Sequence, residues 1–537
     1  MERPQTQPIR VPRLLPIVGA VFALALLINV LYAYTRPVPV SADAAYYVMV
    51  AENLYHGRGF VADYVWNYLA GLPRSLPVPS NEYWMPGTSV VTAVVFAAAR
   101  GASLRAAQWP SLLLGALLCA ITAWVAGALS RRRDVVWLAG AAAALNFYLV
   151  GLALYPDHFM LNAVLVNLSL LALWRAWTDR GRLAAPAGAL AGLAFLTRTD
   201  GGLLVICALL LAIGLWRRGE RRHALRLTAL FLAAFALVAA PWWIRQTLVF
   251  GSPSGASPLR TAFLTDYNDL FRLDQSRLNP QDYLATSQVV ALGVKGYVLY
   301  RSLRVLAKAV MLFGLLFIAA LFLRDLRRPA VPWLAYLALG LLIPPLLVPY
   351  PAGKGGSWHL MPALMPIILA LGASAAFRLF DTLKHRLRSS LAGALVIALS
   401  LGSLLYWWAR SPEDAARAAD PLYPPVAAEA VRALGPSPRP ALTDNAWGLY
   451  HVTHLPCAQF PTDGAVAALQ VADAIGAAYL ITRADATNQI PTMSEIINHP
   501  RFQPLARYPA GETSLLVYRI VPSREYDPAP IAHNGLP

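Results

Sequence analysis

Asp43 and Asp157 are the two acids best placed in this sequence to do chemistry. Asp43 lies in Ser41-Ala-Asp-Ala-Ala-Tyr-Tyr, soon after a first apolar run, and Asp157 lies in Leu154-Tyr-Pro-Asp-His-Phe between two others. A carboxylate within hydrogen-bond reach of an acceptor hydroxyl can take its proton, and an ionisable group near membrane depth usually faces a cavity. Each acid also has a plainer explanation as the cap of the helix that follows it. Cations recur at equivalent places: Arg198 in Leu196-Thr-Arg-Thr-Asp-Gly, Arg245 in Pro241-Trp-Trp-Ile-Arg-Gln, and Lys354 with His359 in Gly353-Lys-Gly-Gly-Ser-Trp-His-Leu-Met-Pro. Arg198 has two candidate partners, Asp200 beside it or an anionic ligand. His359 at a helix start is more often structural than a ligand, and the Lys354 segment lacks the spacing and preceding strand of a phosphate loop. A departing phosphate is stabilised by Arg or Lys, so acids and cations together suit chemistry on a lipid-linked phosphate. Asp-x-Asp, P-loop, zinc-site and nucleophile-elbow patterns are absent from the sequence, and the three cysteines offer neither a disulfide framework nor metal spacing.

The elements that must position these residues are membrane helices. Of 537 residues, 57% are hydrophobic and 14% charged, with a mean hydropathy of +0.50; soluble domains carry about a quarter charged residues. Apolar stretches near 14–34, 109–129, 135–155, 159–176, 184–198, 201–216, 226–244, 305–323, 331–349, 360–379 and 390–409 predict about 11 transmembrane helices. The first run is longer than the core of a signal peptide, roughly 7 to 15 residues, and reads as an uncleaved helix. The net charge of +17 and pI near 10.0 do not point to nucleic acid, because the arginines fall between apolar runs rather than on one face. With the N-terminus inside, the clusters Arg3/Arg10/Arg13, Arg131–Arg133, Arg175/Arg180/Arg182, Arg217–Arg226, Arg324/Arg327/Arg328 and Arg378/Lys384/Arg386/Arg388 all face the cytoplasm, as the positive-inside rule requires. Pro86–Ala99 is apolar but short; counting it as a span would scatter those clusters, so it reads as a helix at the outer interface. Neither an inverted repeat nor a Gly/Pro-broken span is apparent.

This topology leaves three outer pieces: a first loop from about 35 to 108, a second from 245 to about 304, and a tail from about 410. A loop as long as the first is usually functional. It opens with a helix-like stretch in which Tyr46, Tyr47, Val50 and Leu54 recur at helical spacing. The tail reads as a small α/β domain, with a helix near Ala428–Leu434 and strands at Pro440–Thr443, Ala478–Thr482 and, most clearly, Ser514–Ile520.

The order of these pieces resembles the GT-C superfamily of membrane glycosyltransferases, within it the protein mannosyltransferase and aminoarabinose transferase branch. The matching residues are Asp43-Ala-Ala-Tyr-Tyr, Asn53-Leu-Tyr-His-Gly-Arg-Gly, Trp84-Met-Pro-Gly-Thr-Ser, Tyr155-Pro-Asp157, Gly192-Leu-Ala-Phe-Leu-Thr-Arg-Thr-Asp-Gly201, Pro241-Trp-Trp-Ile-Arg-Gln with Phe250-Gly-Ser-Pro, and His359-Leu-Met-Pro. The likeness covers about residues 10 to 410 and leaves the tail aside. Ala44 stands where that family usually has a second acid, and His359 where an Arg-Tyr pair is common. The resemblance implies sugar transfer from a polyprenyl-phosphate carrier, with inversion, to an acceptor hydroxyl outside the cytoplasm. It makes Asp43 the principal acid/base and Asp157 the second acid of the cavity. Arg198 and Arg245 would hold the carrier phosphate, with Arg58 behind them, and Tyr46, Tyr47, Asp200, Lys354 and His359 would line the substrate site.

The expected architecture is an all-α polytopic transmembrane bundle, residues 1–410, followed by a small α/β extracytoplasmic domain, 411–537. The expected setting is the bacterial cytoplasmic membrane, and the expected partners are a lipid-linked sugar, the bilayer and a protein, glycan or lipid acceptor, with no nucleic acid. The sequence assigns no cofactor; a divalent cation beside the acids stays open. The rival readings are a lipid or glycan flippase or transporter and an inactive membrane scaffold.

Overall fold

The computed structural model describes residues 14–523 apart from 131, 180, 256, 287, 312, 381–386, 388, 403–404, 406–422, 487–492 and 512. Arg3, Arg10, Arg13, Arg131, Arg180, Lys384, Arg386 and Arg388 of the basic clusters lie outside the described residues, as does the end of the last apolar stretch. The chain divides into two compact units. The first comprises Met1–His56, Tyr83–Ser254 and Thr286–Glu413; the second comprises Gly57–Glu82, Gly255–Ala285 and Asp414–Pro537.

The first unit is helical. It contains α1 (Leu15–Tyr34), α2 (Ala42–Tyr55), α3 (Gly87–Ala99), α4 (Leu104–Ser130), α5 (Arg133–Ala144), α6 (Phe147–Ala153), α7 (Phe159–Thr178), α8 (Ala184–Thr197), α9 (Leu203–Arg217) and α10 (Arg221–Phe250), then helices Gln288–Val310, Phe313–Phe322, Val331–Leu347 and Ser357–Leu379. Among the described residues six segments are long and apolar enough to cross a membrane, or eight when two bent pairs each count as one. The chain is therefore a multi-pass membrane protein. Ala184–Thr197, Val331–Leu347 and Ser389–Gly402 are apolar but shorter, below the roughly 20 residues a span needs; the count of about 11 spans rests on treating these as full crossings. The short apolar helix expected after Pro86 is α3, with 13 residues.

Two spans are broken, which the sequence did not announce. α5 and α6 meet at 54°. Asn146 ends the first by capping the second, its side chain accepting from the Leu149 N–H at 3.1 Å while its amide donates to the Ala309 carbonyl at 3.1 Å. An asparagine that can satisfy orphan backbone groups makes such a break tolerable in apolar surroundings. The other bent pair is Gln288–Val310 with Phe313–Phe322, where Met311 takes a left-handed φ of 46°. At the middle of the unit runs Ser357–Leu379, whose apolar window is wholly buried. Asn167 of α7 donates to its Ala363 carbonyl at 2.9 Å, an interhelical bond of the kind that glues membrane helices.

The second unit is wider than residues 411–537. Its six-stranded sheet has the order β2-β5-β4-β6-β8-β7, with β2 (Tyr64–Val65), β4 (Ala441–Thr443), β5 (Cys457–Gln459), β6 (Tyr479–Arg483), β7 (Phe502–Ala510) and β8 (Thr513–Ile520). The first four are parallel, and β8 runs antiparallel to both β6 and β7. Helices Ala446–Thr453 and Ala465–Ile475 make the crossovers that parallel strands require. A two-stranded pair, β1 (Val61–Ala62) with β3 (Val78–Pro79), lies in the loop segment. That segment therefore joins the tail's own sheet through β2, and the Tyr68 hydroxyl donates to the Gln459 carbonyl. Segment 255–285 joins too: the Tyr68 N–H donates to Leu270 O at 3.0 Å and the Thr462 N–H to Phe271 O at 3.0 Å. The domain boundary expected near 410 misses both pieces because pairing between distant segments leaves no mark on composition.

Candidate active site

Four helix ends in the first unit bring the acids and cations together. Ser41 starts α2: its backbone is extended at φ −92° and ψ 169°, and its side chain accepts from the Ala44 N–H at 3.0 Å. Ser41, not Asp43, is thus the cap, and Asp43 is free to turn elsewhere from the first turn of α2, where the helix dipole favours an anion. Asp157 does not cap α7 either, since His158 holds that position without a side-chain bond. Arg198 is the extended residue that ends α8, with φ −151°. His359 lies in the first turn of Ser357–Leu379.

Asp157 is fully buried and richly held. Its Oδ2 accepts from the Ser41 hydroxyl at 3.0 Å, and its Oδ1 accepts from the His158 backbone N–H at 2.6 Å and lies 2.5 Å from His158 Nδ1. Burial works to raise its pKa, but the His158 contacts outweigh that and hold the carboxyl below its ordinary value, as donors to a carboxylate do. Burial also lowers the His158 pKa; because the guanidinium of Arg198 beside Nε2 can only donate, the ring proton is assigned to Nδ1, toward Asp157. Its other nitrogen, Nε2, then accepts from Arg198 Nη1 at 2.8 Å. Arg198 further donates from Nε to Asp200 Oδ2 at 2.9 Å and from Nη2 to the Gly356 carbonyl at 3.4 Å.

Asp43 stands differently. Its Oδ2 is 3.4 Å from His359 Nδ1, its side chain is 22% exposed, and the Trp84 side chain hydrogen-bonds it. Desolvation, then the nearby Asp157 charge, push its pKa up to about 7, against Arg198 and Trp84. Two carboxyls whose surroundings drive their pKa values apart can take different roles in one reaction. Tyr47 is buried with its ring centroid 5.6 Å from that of His158, and Tyr46 packs on Trp84 at 4.2 Å. The His158 and His359 rings are 4.9 Å apart.

The structure thus brings together Asp43, Asp157, Tyr47, Arg198, Asp200 and His359, with Tyr46 behind Trp84. Arg245 sits toward the end of α10, its guanidinium 4.8 Å from the Trp242 ring and donating to Gln246 Oε1 at 2.7 Å. Lys354 is exposed in the π-helical turn Ala352–Gly356. Arg58 belongs to the second unit, where it pairs with Asp63 at 3.2 Å. Three participants escaped the sequence reading as site residues. Ser41 shows there only as the first residue of the Ser-Ala-Asp segment, His158 only as the neighbour of Asp157, and Trp84 only as part of the Trp-Met-Pro-Gly segment.

No family model matches the sequence, and no curated protein matches it. Solved structures do match. ArnT from Cupriavidus metallidurans bound to undecaprenyl phosphate superposes with a TM-score of 0.59 at 13% identity, over 97% of this chain and 100% of that one. The chain has the GT-C fold. The archaeal oligosaccharyltransferase AglB from Archaeoglobus fulgidus, solved with an inhibitory peptide and a dolichol-phosphate, gives 0.56 at 12% identity over 93% and 74%. The arabinofuranosyltransferase AftD from Mycobacteria gives 0.51 at 15% identity over 96% of this chain and 42% of that one.

Proposed function

We propose that this chain is a glycosyltransferase that moves a sugar from a polyprenyl-phosphate carrier to an acceptor hydroxyl on the outer face of the bacterial cytoplasmic membrane. One observation carries the reading: Asp43, Asp157, His158, Arg198 and His359 converge in a fold shared with ArnT and AglB, which were solved with polyprenyl phosphates. The partly exposed Asp43 takes the acceptor proton as the hydroxyl attacks the anomeric carbon from the face opposite the leaving phosphate, so configuration inverts. The ionised Asp157 stays in place, fixing the His158 tautomer and adding negative charge near the developing positive charge on the sugar. Arg198, with Arg245, meets the departing phosphate, since guanidinium matches phosphate geometry. Tyr46, Tyr47, Asp200 and Lys354 border the substrates. The positive-inside pattern supports a cytoplasmic N-terminus, with the first loop and tail outside.

A divalent cation fits the same residues. Asp43, His158 and His359 each offer one ligand atom, all within 4.8 Å of one another, and two imidazoles with one carboxylate suit a transition metal. AglB has been crystallised with Zn and sulfate. Bound there, a cation would add Lewis-acid stabilisation of the phosphate's charge. Asp157 against Nδ1 supplies the outer support that a histidine ligand usually has.

The two bent helix pairs favour a second reading, a carrier flippase, because transporters build their sites from broken helices. Reconstituted vesicles separate the two. Supplied with radiolabelled polyprenyl-phosphate sugars and a membrane extract as acceptor, the wild-type chain should transfer label and the Asp43→Asn variant should not. Equal transfer by both would remove Asp43 from the mechanism. Carrier movement across the bilayer without transfer would favour the flippase.

A further inference from the structure

We infer that Arg198 couples carrier-phosphate binding to divalent-cation binding by holding or releasing His158 Nε2. The inference rests on the proposed function of this site and adds a regulation to it. All three guanidinium nitrogens of Arg198 are engaged: Nε and Nη2 with Asp200 Oδ2, at 2.9 Å each, Nη2 also with the Gly356 carbonyl, and Nη1 with His158 Nε2 at 2.8 Å. His158 Nδ1 faces Asp157. Nε2 is therefore the one ring nitrogen whose lone pair can ligate a metal, and the guanidinium covers it.

These bonds use four of the five guanidinium N–H groups, so a phosphate that grips Arg198 with two parallel bonds must replace one of these partners. The ion pair to Asp200 joins two charges and is the stronger bond; the bond to a neutral imidazole is the weaker one and yields first. Its loss uncovers Nε2, so that His158 has a ring lone pair to offer in the donor set it forms with Asp43 and His359. The converse holds equally: a cation on Nε2 turns Nη1 loose for a phosphate. Linkage requires the two effects to be equal in size. The arrangement keeps a cation out of the site until the carrier is seated, and favours carriers that bear a phosphate over the free alcohol.

The test is Mn²⁺ binding to the purified full-length protein in nanodiscs, read by the loss of the free-ion paramagnetic resonance signal, with and without undecaprenyl phosphate. Binding of the carrier is measured in the same samples with labelled lipid. Undecaprenyl phosphate should tighten Mn²⁺ binding about tenfold, within the usual range of site–site coupling, and undecaprenol should not. In Arg198→Ala, Mn²⁺ should bind more tightly without carrier and the coupling should vanish. The double variant Arg198→Ala/Asp200→Asn removes the charge without leaving a buried acid unpaired, and should behave the same way. Carrier binding with no change in Mn²⁺ affinity would overturn the coupling and leave the transferase reading intact. Coupling of wild-type size in both variants would show that phosphate attracts the ion directly, and would also overturn it. Failure of the wild type to bind the carrier would overturn the coupling and the donor assignment together.

Discussion

Ser41 does two jobs with one hydroxyl: it accepts from the Ala44 N–H and donates to Asp157 Oδ2. Removing it therefore strikes both acids, Asp43 through the helix start and Asp157 through a lost donor. A cap is worth about 1 kcal/mol and a hydrogen bond to a charged group about 1.5–3 kcal/mol. Ser41→Ala should lower the transfer rate by roughly tenfold or more while carrier binding holds, and Ser41→Thr should recover most of it. An unchanged rate in the alanine variant would show that Asp157 does not need the hydroxyl. A second residue-scale prediction concerns Asp444, at the end of β4. It is buried beside Arg483, whose Nε is 3.6 Å away, yet burial outweighs that cation and raises its pKa to about 6. The folded state then binds more protons than the unfolded one between about pH 4 and 6, so this group's contribution to stability falls as pH rises through that window. Asp444→Asn should stabilise the second unit at pH 8 by at most about 3 kcal/mol, read as a higher melting temperature, and the gain should fade by pH 4. A gain of equal size at both pH values would mean that ionisation is not its source.

Helix packing decides whether Arg198 can reach His158 at all. α8 ends at Arg198, and its Gly188 and Gly192, four residues apart, let α10 approach. A Cβ on Gly188 would lie 2.0 Å from the Phe231 carbonyl oxygen, and one on Gly192 would lie 2.8 Å from Val238 Cβ. This is the small-residue contact by which membrane helices associate. Because the first obstacle is backbone, Gly188→Ala should separate the helices, costing about 1–3 kcal/mol and lowering transfer by displacing Arg198. Wild-type melting and activity in that variant would rule out close packing here. The acids, Arg198, Asp200 and His359 were visible in the sequence, because each stands in a short motif at the end of an apolar run. What stayed hidden depends on distance between segments: the Ser41 bond to Asp157, the Trp84 bond to Asp43, and the Arg198 bond to His158. In the tail, β8, rich in Leu, Val, Tyr and Ile, and the apolar β4 and β6 were legible. β5 is Cys-Ala-Gln, without a β-branched or aromatic residue to mark it as a strand. β7 carries Pro504 and Pro509, which argue against a strand in general but are tolerated because β7 is the edge of the sheet.

The chain is discontinuous in assembly: residues 57–82 and 255–285 pack in one unit with a tail that begins more than a hundred residues later. Within that unit β2 has β5 as its sheet partner. Asp63 accepts from the Tyr450 hydroxyl at 3.0 Å while pairing with Arg58, and the Leu273 and Asp274 N–H groups both donate to the Asp463 carboxylate, at 3.1 and 2.9 Å. Those bonds replace what the two loop segments do not supply themselves, since a two-stranded pair such as β1 with β3 is marginal alone. Unpaired backbone of this kind is open to proteases. A chain truncated after residue 410 should therefore still insert its apolar helices, yet its two loop segments should be cut by protease at exposed sites within 57–82 and 255–285 that the full chain protects. Asp463→Ala in the full chain should expose only 255–285, because the bonds to Asp463 serve that segment and not β2. Protection of both segments in the truncated protein would mean that they fold without the tail, and the tail would then be a separate domain rather than the third part of this one.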